Sequence, residues 1–369
     1  MLYVAFRIRD DPLITVGDAI ESFLVTPDKS TAGRCLTTKQ KEVLACEAAE
    51  TAARLGPVPG DSRLPRLSNP ETWHPMRQRW FRAASKQRWW TCIALFAIAL
   101  IVIGSLLGWA ISSLPDSKSV KTLWGFGFGT VHPQALISGW SISYISSPNS
   151  QILTSVLIAN LPQPLLSFLY LTLNGLCTSM FLADEWSRFG RHRKPLRVST
   201  PKEGQRKTYF LQLPYRIALP LMAMSGLLHW LVSQSIFLAV VAEYGTDGDI
   251  YNSVAVATCG FSPFAMICVL IAGGIIIIFA IGLGYRCFDG STPLVGSCSA
   301  AISAACHAPP WDTNVSTHAI QWGSVSEMTS PGGVGHCCFS SSSVSEPVPG
   351  QQYAGLHERY FELVSSLER

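Results

Sequence analysis

Charge is scarce in this chain, and along its longest stretches it is absent. Of 369 residues, only 14% are Asp, Glu, Lys or Arg, while 48% are hydrophobic. Such a balance, with a positive mean hydropathy, argues against the roughly two or three soluble domains that the length would accommodate. The net charge of +4 is small. No basic patch interleaved with aromatics resembles a nucleic-acid platform, so a nucleic-acid partner is not expected. The N-terminus, MLYVAFRIRDD, lacks the central apolar run and cleavage site of a signal peptide. The eleven cysteines lack the spacing of a disulfide framework. Neither a Ser-His-Asp order, paired carboxylates nor a nucleotide fingerprint stands out, so no catalytic residue is assigned, no enzyme activity is indicated and no cofactor is expected.

What is present is a set of long uncharged runs. A membrane-spanning helix needs about 20 apolar residues, because the hydrocarbon layer is roughly 30 Å thick and leaves backbone groups no water to bond. Four segments meet this requirement: residues 91–112, 152–183, 217–241 and 261–285. The second is interrupted at 160–164 (NLPQP), where Pro162 and Pro164 remove two backbone donors and predict a break or sharp kink. Between the second and third lies a short segment holding Arg188, Arg191, Arg193, Lys194, Arg197, Lys202, Arg206 and Lys207 against only Asp184, Glu185 and Glu203. Short loops this rich in Lys and Arg stay in the cytosol. Residues 113–150 hold only Lys118, Lys121 and Asp116, and residues 242–260 hold Glu243, Asp247 and Asp249 with no cation, so both belong on the far side. The expected fold is therefore an all-α integral membrane protein with four transmembrane helices and cytosolic N- and C-terminal regions.

The flanking regions divide accordingly. Residues 1–90 read as a cytosolic region with short helices, at 18–24 and 39–55, and a Pro-rich linker at 57–70. Trp73, Trp80, Trp89 and Trp90, mixed with Arg77, Arg79, Arg82, Lys86 and Arg88, describe a segment entering the membrane interface. Residues 91–285 form the transmembrane region, in which Gly104 and Gly108 make a weak small-xxx-small pair. The glycine-rich run 124–130 (WGFGFGT) has no preceding strand and no Lys, so it reads as a flexible turn at the membrane surface rather than a phosphate loop. Residues 286–369 read as a cytosolic Cys/Ser-rich tail, disordered around Ser340–Ser345. An amphipathic C-terminal helix is expected over Tyr353, Leu356, Tyr360, Leu363 and Leu367. The sequon at Asn314 would go unused on the cytosolic side.

Two clusters are candidates for chemistry. The first is polarity inside the apolar runs: Asn160, Asn174, Ser225, His229, Ser233 and Gln234. Ser225, His229 and Ser233 fall at i, i+4 and i+8 and share one helix face. Ionisable groups in a membrane point to a substrate or proton path. The plainer reading, His229 as hydrogen-bonding glue between helices, outweighs it, because a neutral His costs far less than an acid and no span contains Asp or Glu. The second cluster comprises Cys298, Cys306, His307, His336, Cys337 and Cys338. Zinc sites favour C-x₂₋₄-C pairs; the spacings here are Cys-x₇-Cys-His and His-Cys-Cys, so a metal is not assigned and small buried cysteines are the preferred reading. S-palmitoylation at Cys337 and Cys338 would require the tail to return to the membrane. The segment 197–201 (RVSTP) offers Ser199 and Thr200 for phosphorylation.

Several longer motifs carry a resemblance. They are residues 11–20 (DPLITVGDAI), 127–131 (GFGTV), 160–164 (NLPQP), 193–197 (RKPLR), 211–216 (LQLPYR), 225–235 (SGLLHWLVSQS), 293–307 (PLVGSCSAAISAACH) and 335–340 (GHCCFS). Together the chain resembles a family of uncharacterised multi-pass membrane proteins of filamentous fungi, defined by a domain of unknown function. Members are usually longer, with further spans upstream of the Gly-Asp-Ala-Ile motif, so the chain is similar to their C-terminal portion and Met1–Ile8 would be the stump of a missing span. The resemblance implies no activity and transfers no catalytic residue. The expected role is structural or scaffolding, with the lipid bilayer and other membrane helices, including further copies of the chain, as partners. The alternative is a subunit of a transporter or channel with a polar path around His229.

Overall fold

A computed structural model describes residues 13–38, 70–75, 77–114, 119–132, 135–136, 148–209, 212–241, 256–290, 292–325 and 333–355. The chain folds into two units that interleave along the sequence. One comprises residues 1–84, 178–213 and 284–369; the other comprises residues 85–177 and 214–283.

The second unit is built on long helices. They are α2 (Lys86–Ser113), α4 (Pro148–Asn160), α5 (Pro162–Arg188), α6 (Tyr215–Ser235) and α7 (Pro263–Tyr285), with the short α3 (Val120–Gly125); α5 runs on into the other unit. Ser85 caps α2 by accepting from the Arg88 backbone. Helix α4 stops at Asn160 and α5 starts at Pro162. A proline suits the first turn of a helix, where its missing N–H would have no partner anyway. The chain then does something apolarity did not announce. Helix α6 ends at Ser235, and the uncharged run continues as strand β5 (Ile236–Val241), paired antiparallel with β6 (Val256–Phe261). Helix α4 packs on this hairpin, and Cys259 Sγ lies 3.7 Å from the Ser155 carbonyl.

The first unit carries α1 (Val16–Val25), α8 (Ser299–Ala304) and three small sheets. Strand β1 (Glu71–Thr72) pairs antiparallel with β9 (Gln352–Tyr353). Strands β2 (Lys194–Pro195), β7 (Ala319–Val325) and β8 (His336–Ser340) form an antiparallel sheet in that order. Strand β3 (Arg197–Val198) runs parallel to β4 (Arg206–Lys207). The core gathers Ile20, Trp186, Leu196, Ile302, Trp322 and Phe339. Phe339 meets the edges of Trp186 and Phe189 at 84° and 90°, the arrangement that aligns positive ring edges with negative faces. Trp186 Nε1 donates to the Pro293 carbonyl at 2.9 Å, so the buried indole keeps a partner.

These strands overturn the all-α expectation. Nine strands lie among the described residues. The 336–340 segment (HCCFS) is buried on both faces, so it shows none of the period-two alternation that marks a half-buried strand. Several others are two residues long, too short for any periodicity. Strand β5 is rich in β-branched and aromatic side chains, yet hydropathy alone joins it to the helix before it. Ser340 is fully buried rather than in a disordered run, and Tyr353 sits buried in β9. The remainder of the C-terminal helix, from Leu356, and the helix at 39–55 lie outside the described residues.

Candidate functional site

The polar residues of the apolar helices do not converge. Asn160 donates back to the Val156 carbonyl at 2.8 Å, and Ser233 to the Trp230 carbonyl at 2.7 Å, each within its own helix. Gln234 Nε2 reaches Ser233 Oγ at 3.3 Å. Its Oε1 crosses Gly129, where φ is +63°, a left-handed conformation that favours glycine. Asn174 and Ser225 are half-buried on α5 and α6. His229 reaches across to a neighbouring helix. Its Nδ1 lies 2.6 Å from Gln163 Oε1, while Gln163 Nε2 donates to the His229 carbonyl at 3.1 Å. An amide oxygen only accepts, so Nδ1 carries the proton in this pair. The result is a two-bond clasp between the start of α5 and α6. Gln163 belongs to the Asn160–Pro164 motif, but its partner is 66 positions away, so spacing gave no sign of it.

The glycine-rich turn is held in place rather than loose. Ser262 donates to the Gly127 carbonyl at 2.6 Å. Phe128 packs against Trp230 and Phe264, with centroids 5.1 and 4.8 Å apart.

In the sheet-bearing unit several of the Cys/His residues are neighbours, His307 beside His336 and Cys306 beside Cys338. Cys298 precedes α8; Cys306, His307, His336, Cys337 and Cys338 are buried. Among the described residues no group of three His, Cys, Asp or Glu side chains is arranged to hold a metal. Burial pushes the Cys306, Cys337 and Cys338 thiols far up. The same burial in β8 keeps Cys337 and Cys338 from an acyl donor. His307 Nε2 bonds Thr31 Oγ1 at 2.9 Å, and Thr31 bonds Ser303 Oγ at 2.8 Å. Its Nδ1 has no partner among the described residues. Burial, and next the neighbouring His336, lower His307 to about 4, so the ring is neutral. His336 lies between two carbonyls, Ala354 O at 2.9 Å from Nδ1 and His307 O at 3.0 Å from Nε2. Burial pushes it below the ordinary histidine range despite both bonds.

Two carboxylates that the sequence did not single out organise the unit. Asp18 and Thr15 form a reciprocal capping box at the start of α1. Asp18 also accepts from the backbone and hydroxyl of Ser199, both at 2.7 Å. Burial alone would raise this carboxyl, but the Ser199 and Thr15 bonds hold it below the usual carboxylate range. Gly17 permits the approach, since a Cβ there would fall 2.1 Å from the Arg197 carbonyl. Asp312 gathers the Ser340 hydroxyl at 2.5 Å, the Ser341 backbone at 2.7 Å and the Ser342 backbone at 3.3 Å. Burial again acts upward and is outweighed, so Asp312 is also lowered. Both carboxylates are engaged in holding loops.

Comparison with known proteins adds a family and no activity. No curated protein and no solved structure matches the chain. One family model matches residues 15–353, spanning both units from the Thr15 cap to Tyr353. The chain belongs to the family described as a domain of unknown function, DUF8419.

Proposed function

We propose that the chain is a multi-pass integral membrane protein whose four long apolar helices span the bilayer, with a structural or scaffolding role. The observation that carries this reading is where the apolar side chains go. The four candidate spans are 28, 36, 21 and 23 residues long, the second running from Leu153 in α4 through α5, yet only 11% to 39% of the most apolar stretch of each is buried. Ile278 is 72% exposed and Leu171 62%. Exposed apolar area on that scale is unfavourable in water at about 25 cal/mol per Å², whereas lipid chains cover it at no such cost.

Orientation follows from charge. Along the chain, the joints between the two units fall beside Lys86 and Arg88 at the start of α2, within α5 ahead of Arg188, beside Arg216 at the start of α6 and beside Arg286 at the end of α7. That bias supports a cytosolic placement for the sheet-bearing unit. The resemblance to fungal multi-pass proteins supports the same reading. The engagement of His229 with Gln163 favours glue over a polar path. The test is alkaline carbonate treatment of membranes carrying the full chain. Retention in the pellet is expected; release into the supernatant overturns the reading.

A further inference from the structure

Within the helical unit, a cavity of about 280 Å³ opens between α2, α5, α6 and α7. It is lined by side chains such as Ala99, Val102, Leu165, Leu228, Val232 and Val269, and almost no polar atom reaches its surface. Its mouth is formed by Ile98, Val102, Leu106, Leu165 and Phe168, which are themselves exposed on the outer faces of α2 and α5. The opening therefore faces sideways from the helices and not along them. Gly273 contributes the absence of a side chain, for a Cβ there would press to 2.9 Å on Leu100.

Depth is consistent on all four helices. The lining runs from Leu95 to Leu106 on α2, from Pro162 to Leu169 on α5, from Leu228 to Ser235 on α6 and from Met266 to Gly273 on α7. On α5, α6 and α7 this is the portion away from the Arg-flanked end, and on α2 it is the middle of the helix. The cavity thus belongs to the half of the unit that would lie in the leaflet opposite the cytosol.

We infer that this cavity is a binding site for one acyl chain of a phospholipid from that leaflet, an inference that rests on the membrane reading above. Water is a poor occupant, because a buried water needs about two to four polar partners and the walls supply almost none. An empty space is also unfavourable, since the lining atoms lose their dispersion contacts. An apolar cavity of about 150 Å³ stays dry and takes up benzene, and this one is nearly twice as large. Its sideways mouth admits a flexible chain from the surrounding lipid without moving a helix. The chain's headgroup needs no partner inside, which fits a lining that offers no charge.

The experiment uses the full chain in phosphatidylcholine vesicles in which a fraction of the lipid carries a diazirine on its acyl chain. After photolysis, labelled residues are mapped by peptide mass spectrometry. Ile271 is the reference: it is 58% exposed, lies at the depth of Val269 on the same helix, and does not line the cavity. Labelling of Val269, Leu228 and Val232 above Ile271 is expected, and it should outlast dilution with unlabelled lipid. In the variants Ala99→Phe and Val232→Phe, which fill the space from different helices, the excess at Val269 should be lost while Ile271 labelling stays. Cavity labelling no higher than Ile271, or unchanged in both variants, overturns the site and leaves the membrane reading standing. Absence of label from Ile271 as well overturns both.

Discussion

Replacing Asp18 by Asn keeps the size of the side chain and removes the charge on which four donors converge. Those donors are the backbones of Ile14, Thr15 and Ser199 and the hydroxyl of Ser199. An amide presents one of them with a second donor, and hydrogen bonds to charged groups contribute about 1.5–3 kcal/mol each. We expect Asp18→Asn to lower the stability of the full chain by about 2 kcal/mol, read as a drop in the thermal midpoint of detergent-solubilised protein. An unchanged midpoint would show that the contact with Ser199 carries no energy. The same geometry sets the consequence of modifying Ser199. A phosphate there would replace a donor to Asp18 with a second anion. His307 is predicted to matter on the acid side. Its folded pKa of about 4 is depressed from 6.5, so its contribution is fully present above 6.5 and is lost as pH falls towards 4. The window amounts to about 3 kcal/mol. Melting measured from pH 7 to pH 4 should decline steeply for the natural chain and less steeply for His307→Gln, with some slope left because His336 is depressed in the same sense. At this scale the sequence displayed the motifs but not their partners. The Asp18 motif stood out at 11–20, whereas Ser199 lies 181 positions away, and no local pattern encodes that distance.

Elements show where apolarity informs and where it misleads. The long runs marked the four long helices because length and the absence of charge are direct requirements of a spanning helix. The same signal extended the third of them to residue 241, where the helix in fact yields to β5 at Ile236. A continuous buried run looks alike in either conformation. Strand β8 was missed for a related reason, since both of its faces are buried. The clasp between α5 and α6 supplies a test at this scale. Gln163→Leu and His229→Leu should each destabilise by about 1 kcal/mol, the range found for side-chain hydrogen bonds between helices in membranes. The double variant should lose little more than Gln163→Leu alone, because that change already removes both bonds, whereas His229→Leu leaves the Gln163 amide donating to the backbone carbonyl at that position. Losses that simply add would mean the two side chains act separately.

At the scale of the whole molecule, the all-α picture failed because half of the architecture is assembled from segments far apart in sequence. Residues 1–84, 178–213 and 284–369 meet in one unit, and its sheets join β1 to β9 and β2 to β7. Pairings of that span leave no trace in composition. What composition did convey was physical: uncharged helices with cations at one set of ends. Mapping with N-glycan acceptors in membranes carrying the full chain tests that claim most directly. An Asn-x-Thr acceptor placed within residues 137–147 is expected to be glycosylated, while the native sequon at Asn314 stays unmodified. Glycosylation at Asn314, or its absence from 137–147, would contradict the account.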